Sequence, residues 1–73
     1  MEKVVTSQIN GEFKGCEGHS VYEFTNGQVW EQSRYRYRYV YRYRPQVTVW
    51  QNGGEYLLEV DGMDDMIEVR RKR

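Results

Sequence analysis

The segment RYRYRYVYRYR, residues 34–44, decides the fold of this 73-residue chain. Tyrosine and arginine alternate throughout it, except that Val40 replaces one arginine. Successive side chains of an extended strand point to opposite faces, whereas a helix would distribute these tyrosines around its whole circumference. We therefore predict a β-strand over residues 35–44, with tyrosines on one face and arginines on the other. Residues 34–44 are named the Tyr/Arg segment.

The Tyr/Arg segment is long for so small a chain. Its residues would span roughly 36 Å at about 3.3 Å each, while a globule of this length is only about 29 Å across. The strand must therefore bend or project. A bent strand shared between two sheets is how small β-barrels turn a corner, and closing a barrel also removes exposed sheet edges.

Turn signals divide the rest of the chain into short strands. Asn-Gly dipeptides occur at residues 10–11, 26–27 and 52–53, and Asp-Gly occurs at 61–62. Asn-Gly between apolar runs favours a two-residue hairpin loop of type I′, in which both central residues have positive φ. No window has helical periodicity, so we expect little or no helix. The predicted strands cover residues 3–9, 20–25, 28–33, 35–44, 46–51, 55–60 and 65–70.

The hairpin loops assign side chains to faces. A two-residue loop at 26–27 pairs Phe24 with Val29 and Glu23 with Trp30, which places Trp30 on the face with fewer apolar residues. In the third hairpin, a loop at 52–53 or at 53–54 assigns the same faces. Its apolar face contains Val47, Val49, Tyr56, Leu58 and Val60. Trp50 and Leu57 lie on the opposite face, so both tryptophans are predicted on the less apolar side.

Charge and cysteine content narrow the class of protein. The formal net charge is zero, with eleven acidic and eleven basic residues, which argues against a general nucleic-acid coat protein. Five of the basic residues nevertheless lie in the Tyr/Arg segment and four at residues 70–73. Cys16 is the single cysteine and can form no internal disulfide, which fits a reducing setting. No signal-peptide-like stretch and no run of roughly 18 apolar residues occurs. We expect a soluble cytoplasmic protein with no membrane partner.

Four short motifs resemble those of one protein family. They are GEFKG at residues 11–15, NGQVW at 26–30, the Tyr-x-Tyr-x-Tyr run ending in Arg-Pro at 44–45, and VDGM at 60–63. Together they resemble a family of small uncharacterised prokaryotic domains with an SH3-like barrel. The resemblance implies an all-β, SH3-like barrel of about five to seven short antiparallel strands in a meander, with residues 1–73 as a single domain. It implies no reaction and no ligand, because a shared fold does not determine function.

The chain offers few residues for catalysis or metal binding. Cys16 and His19 have the spacing of a metal-ligand pair, but they are the only cysteine and histidine, and structural zinc needs four ligands. The same shortage argues against a nucleophile and base pair. The acidic residues at 61–65 lack the calcium-loop pattern and indicate a solvated turn, and the basic residues at 70–73 indicate a solvated tail. We predict no catalytic residue, metal, cofactor or small-molecule substrate.

The Tyr/Arg segment has a structural and a functional interpretation. In the first, tyrosine rings fill the barrel wall and arginines keep the strand soluble. In the second, exposed rings and arginines bind single-stranded nucleic acid by stacking and phosphate contact. The residues predicted to bind are Trp30, Arg34, Arg36, Arg38, Arg42, Arg44 and Trp50. The alternative is a protein-interaction or self-association module that adds the long strand to a partner or to a second copy. Arginines dispersed in pairs with Glu23, Glu31 or Glu59 would favour the structural interpretation.

Overall fold

The computed structural model describes all residues, 1–73, and contains β-strands but no helix. The strands are β1 (Glu2–Gln8), β2 (Glu12–Phe13), β3 (Val21–Glu23), β4 (Val29–Gln32), β5 (Arg42–Tyr43), β6 (Gln46–Asn52), β7 (Glu55–Val60) and β8 (Met66–Arg71). The all-β prediction is confirmed. The strand number exceeds the predicted range because β2 and β5 are two-residue strands. No helix suited to crossing a membrane is present.

Six strands form one antiparallel sheet in the order β1-β6-β7-β8-β4-β3, while β2 and β5 form a separate pair. The ends of β1 and β3 also meet, through an isolated bridge between Ile9 and Phe24. The Asn10 amide donates to the Glu23 carbonyl and the Thr25 amide to the Gln8 carbonyl, both at 2.8 Å. Apart from these contacts, β1 and β3 are not paired with each other, so the sheet is not closed into a continuous barrel.

The third hairpin has the predicted faces. Its loop is Gly53-Gly54, because Asn52 pairs with Glu55. The core consists of twelve buried side chains that the sheet and the segments around it enclose. They are Ile9, Phe13, Cys16, Tyr22, Phe24, Trp30, Val47, Val49, Leu58, Val60, Ile67 and Val69. Those contributed by β6 and β7 belong to the predicted apolar face.

The second hairpin differs from the prediction by one residue. The Phe24 amide donates to the Gln28 carbonyl at 2.9 Å, so the loop contains three residues, 25–27, and not two. The Asn26 side chain accepts from the Gln28 amide at 2.9 Å, and only Gly27 has positive φ. The turn is therefore not type I′. Tyr22 pairs with Trp30, and the shift of one residue turns Trp30 into the core.

The predicted continuous strand at 35–44 is wrong in extent. Only Arg42–Tyr43 forms a strand, and a single bridge joins Arg38 to Cys16. The Tyr/Arg segment runs antiparallel beside residues 11–17, but the register between the two changes along their length. Arg44 bonds to Gly11, whereas Arg36 bonds to Glu17. The molecule measures 29 × 25 × 22 Å, so a straight eleven-residue strand would project beyond it.

Candidate nucleic-acid interface

The tyrosines of the Tyr/Arg segment face solvent, not the core. Their exposed fractions are 76% for Tyr35, 67% for Tyr37, 62% for Tyr39, 44% for Tyr41 and 68% for Tyr43. Val40, on the alternate face, packs against the core. The prediction that tyrosine rings fill the barrel wall is therefore wrong. The alternation separates the two residue types, but the tyrosine face is the outer one.

Two arginines of the segment are held by the acidic turn before β8. The Asp65 carboxylate accepts hydrogen bonds from Arg36 and from Arg38, the latter at 2.6 Å. Arg42 instead donates to main-chain carbonyls, those of Tyr41 at 2.9 Å and Gly62 at 3.5 Å. The acidic turn was predicted to be only solvated, and it is in fact an ion-pair partner of the Tyr/Arg segment.

The segment keeps an excess of positive charge. Arg34 and Arg44 form no ion pair, and their guanidinium groups have no hydrogen-bond partner in the chain. Arg36 and Arg38 share one carboxylate, so even this cluster retains one net positive charge. At Tyr41 the carboxylate of Glu12 accepts the phenol hydrogen bond at 3.0 Å and raises the pKa of the phenol. The exposed rings therefore alternate along the segment with arginines, and the unpaired guanidinium groups lie at its two ends.

Gln32, which the pattern of residues did not single out, anchors the start of this surface. Its side chain is fully buried at the end of β4. The amide nitrogen donates to the carbonyls of Arg34 and Arg36 at 2.9 and 3.0 Å. The amide oxygen accepts from the amides of Glu17 and Ser20 at 3.1 and 3.4 Å. One side chain thus connects the Tyr/Arg segment to the loop beside it.

The loop beneath the segment is tightly packed. Gly15 has φ of 93° and lies against the main chain of Arg38. Its carbonyl accepts the phenol hydrogen of Tyr22 at 2.9 Å. Burial raises the pKa of Tyr22 and the pKa of the Cys16 thiol. Cys16 is therefore a core residue, while His19 is exposed. No group of three or more metal-ligating side chains occurs in the structure.

The two tryptophans have different environments. Trp30 is 2% exposed and its ring centroid lies 5.4 Å from that of Tyr56 in an edge-on arrangement, so it presents almost no surface to a ligand. Trp50 is half-buried on the outer face of β6, as predicted. Its indole nitrogen donates to Glu59 at 2.9 Å, and the Lys3 ammonium lies 5.7 Å from its ring. Side chains of the neighbouring strands β1 and β7 contact the Trp50 ring, which is not part of the tyrosine surface.

The basic C-terminal residues are ordered, which differs from the predicted solvated tail. The amides of Lys72 and Arg73 donate to the Val29 carbonyl at 2.8 and 3.0 Å. Glu31 accepts from Arg70 at 2.9 Å and also contacts Lys72. The hydrogen bond from Arg70 lowers the pKa of the Glu31 carboxyl. These cations lie at the end of β8 and directly after it, beside β4, and not in the Tyr/Arg segment.

No known protein family, curated protein or solved structure matches the chain. Its function is therefore inferred from the chemistry of the Tyr/Arg segment.

Proposed function

We propose that this chain is a non-catalytic, cytoplasmic binding module that holds single-stranded nucleic acid along the Tyr/Arg segment. The observation that carries the proposal is the exposure of all five tyrosines beside guanidinium groups that have no acidic partner. Stacking of a base on an aromatic ring is worth roughly 1–3 kcal/mol, and arginine adds phosphate contacts. Trp30 and Trp50 are not included in the site.

The spacing of the tyrosines suits a single strand. Where the segment is extended, alternate side chains are about 6.8 Å apart, twice the rise of about 3.4 Å per stacked base. One base therefore fits between two successive rings and can stack on both. A zero net charge does not oppose this binding, because the local excess of arginine lies within one Debye length, about 10 Å, of the bound phosphates.

We also propose that the fold is a partly open, SH3-like barrel. Support comes from the short antiparallel strands and from the bridge that brings the ends of β1 and β3 together. The Tyr/Arg segment connects β4 to β6 beside residues 11–17 and packs on the core through Val40, at the position of a long loop. Loops on such scaffolds commonly carry the ligand-binding residues.

Tyr37→Ala is the direct test of stacking. We expect this variant to bind a fluorescent oligo-dT at low salt roughly 5- to 150-fold more weakly, because one ring that stacks on a base is lost. Tyr37→Phe is the matched control, since it keeps the ring and removes only the hydroxyl, and its affinity should be close to that of the unmodified protein. The proposal fails if oligo-dT does not bind, or if its affinity is independent of salt concentration.

Asp65→Asn should strengthen binding. The change releases Arg36 and Arg38 from their shared carboxylate, so both become available to phosphates. We expect the slope of log K against log salt to become steeper by up to about 1.4, since each phosphate contact contributes about 0.7 on a single strand. Glu59→Gln is the control, because it also removes one negative charge, but from a carboxylate beside Trp50. Equal effects of the two variants would mean that only net charge matters.

Arg44→Gly separates binding from stability. Arg44 has φ of 50°, the only positive value at a non-glycine residue, and it precedes Pro45, which further restricts it. Glycine removes this strain, so the free energy of unfolding should stay unchanged or rise by up to about 1 kcal/mol. Oligo-dT affinity should fall several-fold. Arg71→Gly, a loss of the same charge on β8, should leave the affinity nearly unchanged. A clear loss of stability in Arg44→Gly would show that the residue serves the fold.

A second candidate function is the addition of a strand from another protein. No main-chain amide or carbonyl of Tyr35, Tyr37 or Tyr39 has a partner in the chain, and such an edge can accept an extended peptide. A second copy is disfavoured. Two-fold antiparallel pairing preserves the faces of the strand and would place arginine opposite arginine, which is destabilising.

Hydrogen exchange distinguishes this candidate from nucleic-acid binding. An alternating Glu-Thr peptide that adds as a strand should slow exchange of the Tyr37 and Tyr39 amides, whereas stacked bases should leave them exchanging. Sedimentation equilibrium at high protein concentration is expected to give the monomer mass. A dimer would contradict the charge argument against self-pairing.

A further inference from the structure

An open cleft of about 480 Å³ lies where the Tyr/Arg segment begins. The start of the segment forms one side, and the outer faces of β7 and β8 form the other. The side chains relevant to binding are Arg34, Tyr35, Glu55, Leu57, Met66 and Glu68. This volume falls within the usual range for sites that hold a small organic group.

The cleft combines apolar surface with charges of both signs. Leu57 and Met66 are half-buried and provide apolar contact area. The guanidinium of Arg34 and the carboxylate of Glu55 have no hydrogen-bond or ion-pair partner in the chain. Glu68 has only a long contact to the Ser33 hydroxyl, at 3.4 Å. A bound group should therefore be flat and apolar on its faces, with acceptors on one edge and donors on another.

We propose that this cleft receives one guanine base of the strand bound by the Tyr/Arg segment, an inference that rests on the proposed function. Guanine has acceptors at O6 and N7, the atoms that arginine contacts most often in base recognition. Its N1–H and N2–H groups are adjacent donors, which a carboxylate can accept together. Thymine and uracil have acceptor oxygens on both sides of a single donor, and these oxygens repel a carboxylate. Arg34 and Glu55 thus select guanine, and Tyr35 provides an aromatic wall.

The position of the cleft follows from the Gln32 anchor. Gln32 binds the carbonyls of Arg34 and Arg36, on either side of Tyr35. Tyr35 also lies against Gly18, where an added methyl group would be 3.5 Å from its ring. The Gln32 hydrogen bonds and the contact with Gly18 therefore fix the position of Tyr35, which forms one wall of the cleft. A strand that stacks along the later tyrosines reaches the cleft with its terminal base.

The test compares oligo-dT with otherwise identical strands that carry a single guanine, cytosine or adenine at either end. A single guanine avoids self-assembly of guanine-rich strands. Fluorescence anisotropy at one salt concentration should show the guanine strand binding roughly 5- to 150-fold more tightly than oligo-dT. In Glu55→Gln this preference should disappear without weakening of oligo-dT binding. Glu2→Gln, which removes an exposed carboxylate on β1, should retain the preference.

A second readout locates the base. With carbon-13-labelled methionine methyl groups, the guanine strand should shift the Met66 signal and leave Met1 unchanged. Binding of oligo-dT without a guanine preference would overturn this inference and leave the proposed function intact. A preference for cytosine, or a guanine preference that survives Glu55→Gln, would also overturn it. Failure of every strand to bind would overturn both.

Discussion

Gly15→Ala is expected to unfold the domain or to lower its free energy of unfolding by at least about 4 kcal/mol. A Cβ atom at Gly15 would overlap the carbonyl oxygen of Arg38 and lie 2.9 Å from its carbonyl carbon and 3.0 Å from the Val40 nitrogen. These are main-chain atoms, so relief requires separation of the loop from the Tyr/Arg segment. The φ of 93° adds strain for any residue with a Cβ.

Gly11→Ala is the matched control for this substitution. Gly11 also has positive φ, 105°, but no atom lies within 4 Å of an added Cβ. Its cost should therefore be the backbone strain alone, about 1–2 kcal/mol. Urea unfolding followed by circular dichroism gives the stabilities, and reaction of the buried Cys16 thiol with an alkylating reagent reports opening next to Gly15. Similar losses for the two variants would contradict the close packing of Gly15 on Arg38.

Gln32→Leu should destabilise the protein by about 3–5 kcal/mol. Leucine is similar in size but leaves three main-chain groups without a partner, namely the amide of Ser20 and the carbonyls of Arg34 and Arg36. The Glu17 amide loses one of its two acceptors and keeps the Ser20 hydroxyl. Each unsatisfied buried group costs roughly 1–3 kcal/mol, and partial access of water to this loop reduces the sum. Where the domain still folds, oligonucleotide binding should weaken because the first rings lose their anchor.

Hydrogen exchange provides a residue-specific readout for Gln32. The Ser20 amide, whose one acceptor is the Gln32 side chain, should lose protection in Gln32→Leu before the strands of the main sheet do. Gln46→Leu is the control, because Gln46 is exposed and its side chain makes no hydrogen bond. Retained protection at the Ser20 amide would show that Gln32 is not the anchor.

The two long hairpins show which part of the fold is predictable from sequence. In the third hairpin, moving the loop from 52–53 to 53–54 shifts the partner of each residue by two positions. Each side chain therefore stays on the same face. For the second, a three-residue loop replaces a two-residue loop and reverses the faces. Here the decisive contact is the Asn26 side chain on the Gln28 amide, at 2.9 Å. Such a contact is not visible in hydrophobic periodicity.

The Tyr/Arg segment shows a second limit. Alternation indicated two faces but not which one is buried, and tyrosine was taken as the more apolar residue. The inner face instead contains Val40, which packs on the core, and Arg36 and Arg38, which reach Asp65. An arginine on an inner face is favourable only beside a carboxylate, and the carboxylate comes from a turn more than twenty residues later in the sequence.

The residues that hold the candidate site in place had no signal in the sequence. Gln32 resembles any polar residue at the end of a strand, and its four hydrogen bonds depend on the loop at 17–20 and on the segment that follows it. Gly15 belongs to the GEFKG motif, but its close approach to Arg38 depends on tertiary packing. Candidate contact residues are suggested by residue type and pattern, whereas the residues that position them are identified from tertiary contacts.

The order of strands in the sheet has a consequence for how the molecule forms. β1 pairs with β6 and β4 pairs with β8, so β1 and the β3–β4 hairpin cannot join the main sheet until the second half of the chain is made. Residues 21–32 and residues 46–71 can assemble from consecutive strands, whereas the β1–β6 and β4–β8 contacts span long separations and form slowly. During that interval the tyrosines would be open to other nascent chains. Mutual repulsion of the interleaved guanidinium groups would then reduce aggregation of newly synthesised copies, before the folded site can bind a ligand.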